Sequence, residues 1–206
     1  MRKFFFTVLA ILLSFTMLQA QDIQLPKPKK EGGMPLMEAL QKRVSAREFS
    51  DKMLSDQQLA DLLWVANGIN RDNGKRTAPS ARNCQEIDIY VFIDKGVFLY
   101  VPEKNLLKQV IKEDKRKMAA RQPFVADAPV LLMFVANYDK MIGMDKDAKE
   151  FYGATDAGYV SQNVYLYCAS EGLNTVVLGS IFRDELKELL KFNGKAVLGQ
   201  PVGFAK

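Results

Sequence analysis

Apolar residues change their period several times along this chain, and each period points to a different element. The first stretch is continuous. Met1, Arg2 and Lys3 lead into an apolar run from Phe4 to Leu18, broken only by Thr7, Ser14 and Thr16, with Ala20 as a small residue for cleavage. The run is short for a helix crossing about 30 Å of hydrocarbon, and no stop-transfer pattern follows. It predicts a signal peptide over 1–20, a mature chain starting at Gln21 and an exported, periplasmic protein; an uncleaved anchor is the competing reading. Residues 21–34 hold Pro26, Pro28, Lys27, Lys29, Lys30 and the pair Gly32-Gly33, a composition that buries little and predicts an extended tether.

From Pro35 the spacing turns helical, with Leu36, Met37, Leu40 and Val44 recurring up to a stop near Lys42 or Arg43. Ser55 as N-cap, Asp56 in the first turn and Leu59, Leu62, Leu63 and Ala66 on one face predict a second helix, ended by Asn67-Gly68. A polar loop follows over 70–83. The β-branched and aromatic stretches 87–93 and 96–100, parted by Asp94-Lys95-Gly96, predict a hairpin. Residues 106–118 have a helical pattern with a basic outer face, and 130–136 read as a strand buried on both faces. The longest helical pattern spans 147–171, closed by Gly172 and rich in small residues such as Gly153, Ala154, Ala157, Gly158 and Ser161. A short strand at 176–178, a helix at 184–191 opened by an acidic cap and a last strand at 196–202 complete one α+β domain over 35–206.

Charge and composition narrow the chemistry. The net charge of +5 loses two with Arg2 and Lys3, and the remaining charges are interspersed, which argues against nucleic acid or, after cleavage, an anionic membrane as partner. The chain has no histidine, which removes Ser-His-Asp and Cys-His catalysis and histidine zinc sites. Cys84 and Cys168 cannot form a structural zinc site, and no residues are singled out as metal ligands; the two cysteines stand either as a disulfide or as two buried thiols. Carboxylate chemistry, a metal held by oxygen ligands or a reactive cofactor remains.

Two segments offer cofactor chemistry. If 43–47 is extended, Arg43, Ser45 and Arg47 share a face, where two guanidinium forks and a hydroxyl suit a phosphate; two arginines at this spacing are also what ordinary surface charge looks like. The segment 76–85 combines a fixed Pro79 turn, small residues and the amides Asn83 and Gln85, which both donate and accept, as the edge of a heteroaromatic ring requires. An amide-rich turn is the plainer reading. The carboxylate pairs Glu150 with Asp156 and Asp184 with Glu185 are candidates for hydrolysis, or simply solvated helix faces.

Taken in order, these segments resemble the FMN-dependent nitroreductase family. The resemblance rests on Arg43-x-Ser45-x-Arg47, on 62–68 (Leu-Leu-Trp-Val-Ala-Asn-Gly), on Pro79-Ser80-Ala81-x-Asn83-x-Gln85 and on the run from Gly172-Leu173 to Gly179-Ser180. The wording Arg76-Thr77-x-Pro79-Ser80-Ala81 is similar to the branch that includes peptide azoline dehydrogenases. The resemblance implies a three-layer fold with a central mixed, mainly antiparallel sheet flanked by helices. It implies that Arg43 and Ser45 hold the FMN phosphate, that Arg47 and Asn83 meet the pyrimidine edge of the flavin, that Ser80 belongs to the cofactor-binding set, and that the backbone of Gly179 and Ser180 faces N5 and O4. No side chain is implied as catalytic, since the flavin carries the chemistry. A homodimer with flavins at its interface is implied, packing through the small residues of 154–161, as are a small-molecule donor (NADH, NADPH or a quinol) and a small acceptor such as a nitroaromatic or quinone. The alternative is an exported flavin-binding module of the same fold without turnover. Two departures are visible: Val177 stands where the family often has Pro, and the residues after Gly203 are only Phe204, Ala205 and Lys206 where the family frequently adds basic phosphate ligands.

Overall fold

The computed structural model describes residues 21–206; the signal peptide expected over 1–20 lies outside the described residues. The fold is organised by the strand β5, Val130–Asn137, whose uninterrupted apolar run serves two cores at once. Side chains alternate along a strand, so Leu132, Phe134 and Ala136 enter one core while Leu131, Met133 and Val135 enter the other. The neighbouring strand β2, Ile87–Ile93, divides in the same way: Ile89, Val91 and Ile93 face one side, Tyr90 and Phe92 the other.

The remaining strands are β1 (Ile23–Gln24), β3 (Gly96–Val101), β4 (Leu106–Ile111), β6 (Leu173–Thr175) and β7 (Gly194–Phe204). They form one seven-stranded sheet in the order β1-β4-β3-β2-β5-β7-β6. Every strand pairing among the described residues is antiparallel. On one face lie helix α2 (Asp56–Asn67) and helix α3 (Lys146–Glu171); on the other lie helix α4 (Arg183–Leu190) and two short 3-10 turns at Arg116–Met118 and Pro123–Ala126. This is a three-layer α+β fold.

Local signals explain the helices. Ser55 caps α2 with a full capping box, its hydroxyl accepting from the Gln58 N–H while the Gln58 side chain accepts from the Ser55 N–H. Asp145 caps α3, and Gly172 ends it in the left-handed region at φ 66°. Small residues in α3 have two separate uses. Gly153, Ala157 and Ser161 are buried toward the sheet, and a Cβ on Gly153 would come within 2.7 Å of the Ala136 Cβ. Ala154 and Gly158 instead lie on the outer face beside exposed Phe151, Tyr152 and Tyr159.

Four expectations are corrected. Residues 106–118 are not a helix: β4 occupies Leu106–Ile111, because the edge of β3 offers a row of backbone partners and Leu107 alternates into the core between exposed or half-buried neighbours. The short strand lies at Leu173–Thr175 rather than 176–178, since the Val177 N–H is taken by the Tyr165 hydroxyl and Leu178 makes only a single bridge to Gly199. Helix α4 begins at Arg183 with Asp184 and Glu185 inside its first turn, and no acidic side chain caps it. The extended segment 21–34 is fastened down rather than free. Ile23 and Gln24 pair with β4, Leu25 is buried, Lys29 N–H donates to Asp61 Oδ1 at 2.7 Å and Met34 N–H to Ser170 Oγ at 2.8 Å.

Candidate functional site

Helix α1 (Leu36–Lys42) ends at Arg43, and the chain then runs without regular structure beside β6, with Ala46 N–H donating to the Thr175 carbonyl at 2.9 Å. This brings Arg43 and Ser45 to the same side chain, Tyr165 of α3. The Arg43 guanidinium lies 5.2 Å from the centre of the Tyr165 ring, and the Ser45 and Tyr165 hydroxyls are 2.8 Å apart. Tyr165 also accepts the Val177 N–H at 2.9 Å, so its hydroxyl bonds both Val177 and Ser45. One buried phenol therefore ties the arginine and hydroxyl segment to the strand exit that leads into Gly179 and Ser180. Arg47 is exposed on the same segment and meets no protein partner among the described residues.

Gly179 and Ser180 form an exposed tight turn. Their carbonyls are engaged, by Arg183 Nη2 at 2.9 Å and by the Arg121 N–H at 3.2 Å. Their N–H groups have no acceptor among the described residues.

The second motif is a strained loop. Arg82, Asn83 and Gln85 all have left-handed backbones, with φ of 52°, 56° and 51°. Asn tolerates that region; Arg and Gln are costly there, and such strain persists only when the surroundings over-determine it. They do. Ser80 Oγ accepts the Gln85 N–H at 2.9 Å, Ala81 N–H donates to Asp156 Oδ2 at 2.8 Å, and Gln85 Nε2 reaches Asn83 Oδ1 at 3.3 Å and the Gly74 carbonyl at 3.1 Å. The buried Arg76 guanidinium donates to Gln85 Oε1 at 3.0 Å, the Asn67 carbonyl at 3.1 Å and Glu103 Oε1 at 2.7 Å. Asn83 is left exposed at the tip.

The two motifs are held at different heights on α3, at Tyr165 and at Asp156. Nine residues separate them, about 14 Å of helix rise. Within one chain Arg43 and Ser45 are thus brought to the Gly179 approach, whereas Ser80 and Asn83 are presented separately, and Ser45, Arg47, Asn83, Gly179 and Ser180 are all open to solvent. Cys84 and Cys168 are both free thiols. Burial pushes the Cys84 thiol up, with Glu86 adding to the effect, so it is a sluggish nucleophile. The proposed hydrolytic pairs do not form: Glu150 pairs with Lys195 at 3.1 Å, while Asp184 and Glu185 are exposed on α4.

These features can be set against known proteins. The sequence profile described as the Nitroreductase family matches residues 40–204, which takes in both motifs and the whole sheet from β2 to β7. The chain belongs to the nitroreductase family. It is 33% identical over 192 residues to a Methanocaldococcus jannaschii protein assigned to the nitroreductases, covering 88% of this chain and 96% of that one. It is 26% identical over 170 residues to the FMN reductase [NAD(P)H] of Bacillus subtilis, covering 76% of this chain and 59% of that one. The crystal structure of a Ralstonia eutropha protein assigned to the nitroreductases superposes with a TM-score of 0.85 at 41% identity, over 90% of each chain. Membership of the nitroreductase family makes this chain a nitroreductase-like oxidoreductase.

Sequence reasoning did not find Tyr165, Arg76 or Glu86 as site residues. Tyr165 sits in a helix face like any core aromatic and carries no signal. Arg76 opens the second motif, but no role of its own is legible there. Glu86 had a signal, an acid directly ahead of an apolar strand.

Proposed function

We propose that this nitroreductase-family protein binds FMN and passes electrons through it from a small-molecule donor to a small acceptor such as a nitroaromatic or a quinone. The observation that carries the reading is the Tyr165 junction, which sets Arg43 and Ser45 at a fixed place relative to the Gly179–Ser180 turn. Arg43 and Ser45 supply a cation and a hydroxyl for the phosphate. Asn83, held out on a strained and pinned loop, supplies an amide for the ring edge, with Ser80 fixing the loop beneath it and Arg47 free to place a cation near the pyrimidine. The unpaired N–H groups of Gly179 and Ser180 suit N5 and O4. When bound, FMN supplies the hydride and electron chemistry. The residues of this chain hold it, orient it and place positive charge where a reduced flavin carries negative charge.

A second copy of the chain completes this site in our reading. Leu36, Met37, Leu40 and Val44 on and after α1, and Phe151, Tyr152 and Tyr159 on α3, are exposed apolar side chains flanking the open motifs, and a homodimer would bury them. We further propose that residues 1–20 direct export and that the protein works outside the cytoplasm. N-terminal sequencing of the extracytoplasmic protein tests this; a chain that begins at Met1 and stays in the cytoplasm refutes it.

The decisive experiment is a visible spectrum of the protein after incubation with FMN and removal of free flavin, beside an Arg43→Ala, Asn83→Ala double variant. A flavin band in the parent that is lost in the variant supports the site. Anaerobic mixing with NADH, NADPH or a reduced quinol should then bleach the band, and a nitroaromatic or quinone should restore it. A retained band that no donor bleaches would convert the reading to a binding module without turnover. No band in either protein would overturn the cofactor assignment.

A further inference from the structure

Directly beneath the strained loop, the first residue past Gln85 is an acid with nowhere to go. Glu86 is completely buried, and neither of its carboxylate oxygens has a hydrogen-bond donor from any other described residue. The group that faces it is another acid, Asp156 of α3, itself 3% exposed, whose Oδ2 accepts the Ala81 N–H. Two carboxylates in contact away from water cannot both ionise, because repulsion in a poorly screened interior adds to the cost of desolvation. A single proton between them resolves the unpaired oxygens: a protonated Glu86 becomes a donor to Asp156, and Asp156 keeps its charge to hold the Ala81 N–H.

We propose that Glu86 and Asp156 share one proton and that this proton positions the loop 80–85, so that its loss loosens the loop and weakens flavin retention. Glu86 is a positioning residue, acting on the cofactor through Asp156 and Ala81; this rests on the FMN reading above. Burial first, and then the hydrogen bond with Asp156, push the Glu86 carboxyl up to about 7, which places the change near neutral pH. The other charged or titratable groups around the pair do not replace the proton. Lys140, on the 3-10 turn Tyr138–Lys140, opposes the shift, but its ammonium is already bound to Asp88 Oδ1 at 2.6 Å. On the loop itself, Arg82 is exposed, and Cys84 is pushed up first by burial and then by the same two acids. Above the transition Glu86 releases its proton to water, Asp156 gains a buried like charge as its neighbour, and the bond to Ala81 is the contact most directly strained.

The test is FMN affinity of the full chain, read by flavin fluorescence from about pH 5.5 to about pH 8.5, in the wild type and in Glu86→Gln, whose neutral amide remains a donor at every pH. The FMN phosphate titrates in the same range but equally for both proteins, so their ratio isolates the pair. The wild type should weaken about tenfold relative to Glu86→Gln by the upper end. Asp156→Asn removes the like charge and should move the wild-type transition to lower pH. A pH-independent ratio overturns the proposal, as does an unmoved transition in Asp156→Asn, which also serves if Glu86→Gln does not fold. Hydrogen-exchange protection at Ala81, measured without flavin, should fall through the same pH range in the wild type and hold in Glu86→Gln. If the wild type binds no FMN at any pH, the cofactor reading fails and this exchange measurement alone decides the role of the pair.

Discussion

Replacing Tyr165 by Phe is the most informative single change, because it removes one oxygen and two hydrogen bonds while leaving the ring beneath Arg43. The phenol accepts from Val177 N–H at 2.9 Å and shares a hydrogen bond with the Ser45 hydroxyl at 2.8 Å. Each such bond contributes about 1 kcal/mol net, and a partly buried N–H left without an acceptor adds up to about 1 kcal/mol more. The Val177 amide is only half-buried and water can partly replace the lost oxygen, so the expected loss is about 2 kcal/mol. For domains of this size that lowers Tm by about 4–8 °C. Ser45→Ala, at an exposed position, should cost about 0.5–1 kcal/mol and leave the Val177 bond intact. Thermal and denaturant unfolding of the two single variants and the double variant form a cycle, in which the pair should couple by about 0.5–1 kcal/mol. The same variants titrated with FMN should show Tyr165→Phe binding about tenfold more weakly, with Ser45→Ala adding little once the phenol is gone. A Tyr165→Phe protein within about 0.5 kcal/mol of the parent in stability, or strict additivity with Ser45→Ala, would refute the idea that this phenol joins the two segments.

Further outcomes follow from other contacts. Arg76→Lys keeps the charge but cannot fork to Gln85, Asn67 and Glu103 together; it should cost about 2–4 kcal/mol in urea unfolding and weaken FMN binding more than the exposed Arg71→Lys does. Gly194→Ala places a Cβ into the Ala136 carbonyl at a φ of 154°, so it should destabilise by about 3 kcal/mol or more, seen as a lowered denaturation midpoint or as insoluble protein. In the native protein at neutral pH, a thiol reagent should label Cys84 slowly and Cys168 not at all, since burial pushes both thiols up and Cys168 is fully enclosed, whereas denaturant should make both react; rapid labelling of Cys168 in the native state would contradict its placement.

What the sequence made legible divides along physical lines. Helix α2 was readable because Ser55 and Gln58 cap it locally, and β5 because a run apolar at every position fits a strand between two cores. Residues 106–111 were misread because Leu106, Leu107, Val110 and Ile111 fit a helical face as well as a strand, and what decides between them is the free edge of β3, a tertiary fact. The segment 21–34 was read by composition, which is blind to a single buried Leu25 and to backbone bonds made to Asp61 and Ser170 far along the chain. The family motifs gave the candidate residues, but not the groups that set them in place: Tyr165, Arg76 and Glu86 act through long-range hydrogen bonds and burial, which no local pattern encodes.

Helix α3 has a consequence for how this protein should respond to dilution. It anchors both candidate motifs, through Tyr165 and Asp156, and it also presents the exposed aromatic face at Phe151, Tyr152 and Tyr159. If a second copy covers that face, cofactor binding and self-association are two equilibria drawing on one element, and thermodynamic reciprocity requires each to strengthen the other by the same factor. Flavin retention then becomes a function of protein concentration, and the concentration at which the dimer separates becomes a function of flavin.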